Sequence, residues 1–331
     1  MIGYIVRRLL SAFLVLMLTS MFVFALFYLG PNPAEPVCQA TGGRCTPEKL
    51  ARLEKAMGVD QSVVTAYGQF AKGLVVDRTV NVGTDYTCDA PCLGISYSSR
   101  VEVRKELLKR YPATLSLAIG GALIYLLVGV VTGVLAARYR GTIADRALVT
   151  STLVVSSIPY YLLAFIAWVF LTQRNPIFPQ SEYNPITENP ALWASGLLLP
   201  WLVLGLTNST QYSRFTRGQM VETLGEDYIR TATAKGVGTN RVVFKHGLRA
   251  AIIPVVTIFG LDFATLLGGT VFTEQIFGID GIGRWGLDAV TPPSDFPIVT
   301  GTVLAAALFI VMANLIVDIL YSFLDPRVKL T

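Results

Sequence analysis

Gly225-Glu226-Asp227-Tyr228-Ile229-Arg230-Thr231-Ala232-Thr233-Ala234-Lys235-Gly236 is a polar stretch set between two long apolar runs, 192–212 and 250–273. Glu226 and Asp227 suit the positive end of a helix, Lys235 suits its last turn, and Gly236 suits a left-handed cap, so a helix of about ten residues fits. Glu226 and Arg230 then stand one turn apart, within pairing reach. Tyr228, Ile229 and Ala232 are expected on one side, with Ala234 nearby, and the small alanines let another surface approach closely. A second helix is expected from Thr239, carrying Val242, Val243 and Phe244 before Gly247. By composition alone this elbow reads equally as an amphipathic segment on a membrane surface or as a docking element.

The flanking runs set the class. The chain has 331 residues, 53% hydrophobic and 15% charged, with mean hydropathy +0.55. A soluble domain carries about a quarter charged residues, so the deficit points to lipid. The net charge of +5 is modest and calls for no nucleic acid. Apolar runs at 9–29, 113–137, 148–171, 192–212, 250–273 and 298–323 are each about twenty residues or longer, enough at 1.5 Å per residue for a bilayer core of roughly 30 Å. The expected fold class is an all-α membrane protein with six transmembrane helices. Arg7 and Arg8 precede the first run, which lacks a small-x-small cleavage site before Pro31, so a retained helix is expected rather than a signal peptide. Arg138, Arg140, Arg146 and the basic cluster from Arg214 to Arg249 fall on one side, while the two shorter opposite loops carry Arg174 and Arg284. That asymmetry places both termini in the cytoplasm; long segments are exempt from the rule.

Three regions follow: an N-terminal segment with the first transmembrane helix at 1–29, an extracytoplasmic insert at 30–110, and a core at 111–331 with five further transmembrane helices and a cytoplasmic loop at 213–249. The insert is rich in Pro, Gly and charge and holds all four cysteines, Cys38, Cys45, Cys88 and Cys92. An outside location permits disulfides. Three pairings exist, and proximity favours Cys38 with Cys45 and Cys88 with Cys92. The spacings and the lack of histidine argue against zinc, and no metal site is expected. Residues 47–57 read as a helix with Leu50, Leu53 and Met57 on one face and Lys49, Arg52 and Lys55 turned away.

Within the runs, Gly120, Gly121, Gly129 and Gly133 are placed for close helix packing. Pro112 is expected to close a charged approach to the second crossing, and Pro159 to kink the third. Polar groups at bilayer depth cost a few kcal/mol and need a partner or a cavity. Asp262, Asn314 and Asp318 are therefore candidates for a translocation path or for structural hydrogen bonds. Asn314 and Asp318 stand one turn apart near the inner end. His246, the single histidine, reads as a surface residue. No Gly-x-x-x-x-Gly-Lys-Ser/Thr loop occurs, so ATP hydrolysis is not expected on this chain, and energy must come from a partner or an ion gradient. A self-sufficient secondary transporter would more often show an inverted repeat, which is not evident. An intramembrane aspartyl protease needs two carboxylates at one depth, whereas Asp262 lies near mid-membrane and Asp318 near the inner end.

The segment 225–254 resembles the coupling loop of ABC importer permeases, in the branch that takes up dipeptides and oligopeptides. The general importer motif opens Glu-Ala-Ala, then Gly after three more residues; the matching positions are Arg230, Thr231, Ala232 and Gly236. Arg230 departs from the general motif, and Arg-Thr-Ala is similar to the peptide branch. Arg110-Tyr111-Pro112-Ala113-Thr114-Leu115, the turn Gly278–Gly283, the Asn-Leu-Ile-Val-Asp stretch at 314–318 and Asp325-Pro326-Arg327 resemble the same family. Asp262 departs from it, since an amide is commoner there. The resemblance implies that Glu226, Asp227, Arg230, Ala232, Ala234, Lys235 and Gly236 meet a partner ATPase. It further implies ATP and Mg on two cytoplasmic ATPase domains, no cofactor in this chain, a second, related permease subunit and an extracytoplasmic substrate-binding protein. The implied setting is the inner membrane, and the implied cargo is short peptides, nickel complexes or haem-like molecules.

Overall fold

A computed structural model describes residues 2–29, 32, 34–35, 38, 45–82, 85–268, 270–292 and 294–324, with side chains described from 6 to 26 in the first helix and up to 317 in the last. Asp325-Pro326-Arg327 and the side chain of Asp318 lie outside the described residues. Contacts divide the chain into two units: one formed by residues up to 114 together with 280–312, the other by 115–279 together with the stretch from 313.

The first unit contains α1 (Ile2–Leu29), α2 (Pro47–Met57), α3 (Val63–Gly73), a hairpin of β1 (Arg78–Asn81) and β2 (Asp85–Cys88), and the opening of α4 (Val103–Arg138). The expected 47–57 helix is present. Thr46 caps it by accepting from the Lys49 N–H at 3.3 Å, Pro47 occupies its first turn, and Gly58 ends it at φ 71°. The hairpin pairs antiparallel, Arg78 opposite Cys88 and Asn81 opposite Asp85, so the chain is not all-α. Alternation explains the miss: Thr79, Tyr86 and Cys88 sit in four-residue strands, too short to announce a period of two among polar neighbours. Cys88 is bonded to Cys92 and Cys38 to Cys45, and Cys88 and Cys92 pack with Val82 and Ile95 in a small core. Burial lowers the pKa of the Arg78 guanidinium, whose Nε donates to Cys92 Sγ at 3.1 Å. Phe24 on α1 meets Tyr67, Phe70 and Phe296.

The second unit contains the rest of α4, α5 (Ile143–Ser157), α6 (Tyr160–Trp168, continued by a π-helical turn to Arg174), α7 (Pro190–Leu224), α8 (Asp227–Ala234), α9 (Leu248–Leu267) and α10 (Val271–Phe277). Two further helices follow in sequence, α11 (Ile282–Asp288) in the first unit and α12 (Phe296–Leu324), which contributes to both. Five helices among the described residues are long and apolar enough to cross a membrane. The pair α5 and α6 becomes a sixth if counted as one span.

Three expectations need correction. Pro112 does not close the approach to the second crossing: α4 runs through it for 36 residues, about 54 Å. Leu108, whose carbonyl loses its helical partner to that proline, is 68% exposed, so water is available to it. Pro159 does more than kink the third run, since α5 and α6 diverge by 90°. Ile158, held extended at φ −87° and ψ 126°, is what a residue before proline prefers. The fifth run is also divided, α9 ending at Leu267 and α10 starting at Val271.

The glycines of α4 perform as expected. A Cβ on Gly120 would meet the Trp201 ring at 2.2 Å, one on Gly129 the Tyr212 Cβ at 2.4 Å, and one on Gly133 the Ser213 carbonyl oxygen at 2.6 Å. Absence of a side chain at these positions brings α4 and α7 backbone to backbone.

Candidate functional site

The elbow begins where α7 stops. Its helix is eight residues, Asp227–Ala234, rather than ten, because Glu226 is extended at φ −69° and ψ 149° and Lys235 has left helical geometry. Gly236 takes φ 79°. Its N–H donates to the Thr233 carbonyl at 2.9 Å, and the Val237 N–H donates to the Ala232 carbonyl at 3.2 Å. These are the two bonds of a Schellman cap, and they require a residue at ease with positive φ. No atom lies within 4 Å of a Cβ built on Gly236, so the demand for glycine is conformational and not a matter of room.

The face pattern differs from expectation. Ile229 is buried and Ala232 half-buried, but Tyr228 is 47% exposed. Consecutive helical residues point about 100° apart, so Tyr228 and Ile229 cannot share a face. Arg230 pairs with Asp227 at 3.6 Å and not with Glu226, which the extended cap turns off the helical ladder. Both charges are exposed, so the pair adds little stability. Glu226, Asp227, Arg230, Ala234, Lys235 and Gly236 all lie on the exposed surface. α8 packs against α7 and against a π-helical turn, Val242–Gly247, that follows a short helical turn at Thr239–Arg241. Val242 and Val243 are buried while Phe244 is exposed, with the Arg138 guanidinium 6.0 Å over its ring. His246, expected on the surface, is half-buried. Beneath the turn, Val134, Ala137, Met220, Val243 and Ala251 form a closed apolar cluster.

An ion pair that the sequence did not single out lies close by in the chain. Arg217 on α7 donates from Nε and Nη2 to the two oxygens of Asp145 at 2.7 and 2.8 Å, and the Gly141 N–H donates to Oδ2 at 3.0 Å. Asp145 is 4% exposed. This two-point contact ties the first turn of α5 to the C-terminal part of α7.

Of the polar residues proposed for a path, Asp262 accepts from the Tyr212 hydroxyl at 2.7 Å. Tyr212 and Tyr125, both buried, stand 4.8 Å apart by ring centroids, and Phe259 closes the group. Asn314 has a buried Oδ1 with no hydrogen-bond partner among the described residues. No group of three His, Cys, Asp or Glu able to hold a metal occurs among the described residues.

An opening lies elsewhere in this unit, a cavity of about 520 Å³ at the break between α5 and α6. Ser156, Pro159 and Tyr160 face Asn208, Gln211 and Arg214 of α7 across it. The Tyr160 hydroxyl and Thr273 Oγ1 lie 2.6 Å apart at its edge. Sequence reading treated Arg214 as the start of a loop; α7 carries the helix ten residues past it, to Leu224. The run Thr207-Asn208-Ser209-Thr210-Gln211 inside an apolar span was the available signal.

Comparison with known proteins agrees with this architecture. Residues 129–330 match the model of the binding-protein-dependent transport system inner membrane component, and residues 1–118 match that of its N-terminal part. A probable peptide ABC transporter permease of Sinorhizobium fredii is 33% identical over 98% of this chain and 99% of its own length. The dipeptide transport system permease protein DppB of Escherichia coli is 34% identical over 99% of each. Among solved structures, an inward-facing MetNI methionine ABC transporter gives a TM-score of 0.55 at 16% identity, covering 67% of this chain and 97% of that one, which is a likeness of fold. The chain belongs to the family of binding-protein-dependent transport system inner membrane components, the multi-pass permease subunits of ABC importers.

Proposed function

We propose that this permease imports short peptides as one of two related permease subunits, and that its exposed elbow receives the motion of a cytoplasmic ATPase. The carrying observation is the form of α8. It is anchored by one buried residue, Ile229, closed by the Gly236 cap, and presents Asp227, Arg230 and Lys235 outward on a ledge of small residues. A short rigid helix held at both ends transmits displacement, while its exposed face is left for a partner. ATP and Mg then belong to two partner ATPase domains, and cargo arrives on an extracytoplasmic binding protein. Peptide cargo is supported by the names of the relatives at 33% and 34% identity.

The same reading sets the topology. Both termini and the 213–249 elbow are cytoplasmic, and the insert at 30–110 with its two cystines is extracytoplasmic, in keeping with the placement of arginines and cysteines. The division at 1–29, 30–110 and 111–331 is retained as this topological one. Alternating access follows if ATP-bound and free partners favour different arrangements of the helices. Asp262, Asn314 and Asp318 remain path candidates, with Asp262 already engaged by Tyr212. A secondary transporter would need no ATPase, and a protease would need a second carboxylate beside Asp262.

The test is purification of a tagged chain from its native membrane in mild detergent. A second permease and a Walker-A ATPase should come with it, and replacing Ala232 and Gly236 by bulky residues should release the ATPase alone. Recovery of the chain by itself, active for uptake on an ion gradient after reconstitution, would remove the reading.

A further inference from the structure

We propose that the cavity at the α5–α6 break is where this chain holds the carboxylate end of its cargo, with Arg214 as the anion-binding group. The inference rests on the peptide-import reading and deepens it. At about 520 Å³ the opening is of the size that small-ligand sites occupy. One wall is a polar stripe on α7 in which Thr207, Gln211 and Arg214 stand at i, i+4 and i+7, flanked by Asn208 and Thr210.

The hydrogen-bond inventory of that wall is uneven. Thr207 Oγ1 donates to the Val203 carbonyl at 2.7 Å, Thr210 Oγ1 to the Thr207 carbonyl at 2.9 Å, and Asn208 Nδ2 to the Leu204 carbonyl at 2.8 Å. These three groups are held by their own helix. Gln211 and Arg214 are exposed and make no hydrogen bond or ion pair among the described residues. No Asp or Glu lines the cavity, so the Arg214 charge is not neutralised there. Contrast Arg217, one turn further along, whose guanidinium is paired with Asp145 through Nε and Nη2.

Arg214 stands two residues past the apolar run 192–212, where its long cationic side chain can reach along apolar surface to a water-filled opening or an anion. Its planar fork suits a carboxylate, which it can bind through two parallel N–H bonds. The side-chain amide of Gln211, one turn back, can donate to the same group. Apolar walls from Val155, Ile158, Leu204 and Leu266 would accommodate side chains of varied size. A site of this kind reads the one charge that every short peptide with a free C-terminus carries, and leaves the side chains unread.

The experiment uses the whole importer, assembled with its partners in vesicles, and follows single-turnover uptake of a labelled dipeptide and of its C-terminal amide, each preloaded on the binding protein at saturation. Arg214→Gln should slow dipeptide uptake about tenfold relative to the amide, the loss expected for one charge-assisted contact, and Arg214→Lys should recover much of it. Gln211→Ala should show the same acid-selective loss at about fivefold, which keeps the question open to test if Arg214→Gln fails to assemble. Equal slowing of acid and amide, or no slowing of either, overturns the inference and leaves the importer reading intact. Absence of ATP-driven uptake in the unaltered protein overturns both.

Discussion

The elbow and the α4–α7 seam lie in the same unit and use glycine for opposite reasons. In the seam Gly120, Gly129 and Gly133 are glycine because another helix occupies the space of a side chain. In the elbow Gly236 is glycine because the backbone turns through φ 79°, with nothing near it. The seam is a place where packing decides stability. The elbow is held by Ile229 and a pair of backbone bonds, so it can be damaged without unfolding what carries it.

The sharpest way to break that contrast is at the seam. Gly133→Leu forces a side chain onto the Ser213 carbonyl and Thr216. It is expected to cost about 3 kcal/mol, read as loss of monodisperse protein in detergent; wild-type behaviour would mean that the two helices can part freely. Asp145→Asn should come next. It leaves Arg217 with a weakened partner and is expected to cost about 2 kcal/mol, held below the fully buried case because Arg217 is partly exposed. A thermal-shift measurement in detergent checks it, and Arg217→Lys should fall between the two.

Gly236→Val changes the order of consequences. Its expected cost is about 1 kcal/mol and local to the cap, so membrane insertion and detergent stability should match the unaltered chain while ATP-driven uptake is lost. Normal uptake would count against the elbow as the coupling element. Tyr212→Phe should have the smallest effect, about 0.6 kcal/mol, as Asp262 loses its hydroxyl donor. If uptake falls far more than stability, Asp262 belongs to the path and not to the frame. Separately, if the 30–110 insert is extracytoplasmic, mass measurement without reductant should find its four cysteines fully oxidised, and free thiols there would count against that location.

Much of this was open to a reader of residues alone. Apolar runs of sufficient length gave the spans, because the bilayer imposes one length on every helix that crosses it. Gly236 announced its cap, since positive φ is a backbone property that one residue type serves. The α4 glycines announced a close contact but not with which helix. Tyr228 was placed on the wrong face because an eight-residue helix with one buried position has too little apolar pattern to fix its rotation.

What the sequence settled by itself is whatever a residue's neighbours in the chain dictate: membrane class, long apolar runs, the Gly236 cap and the family. The tertiary structure alone decided the contacts between distant residues, among them Arg217 with Asp145, Tyr212 with Asp262, and the 90° break that opens the Arg214 cavity. Partners 50 and 72 residues apart along the chain carry no local pattern. They meet because α5 and α9 both pack against α7, and only the packing says which residues are brought together.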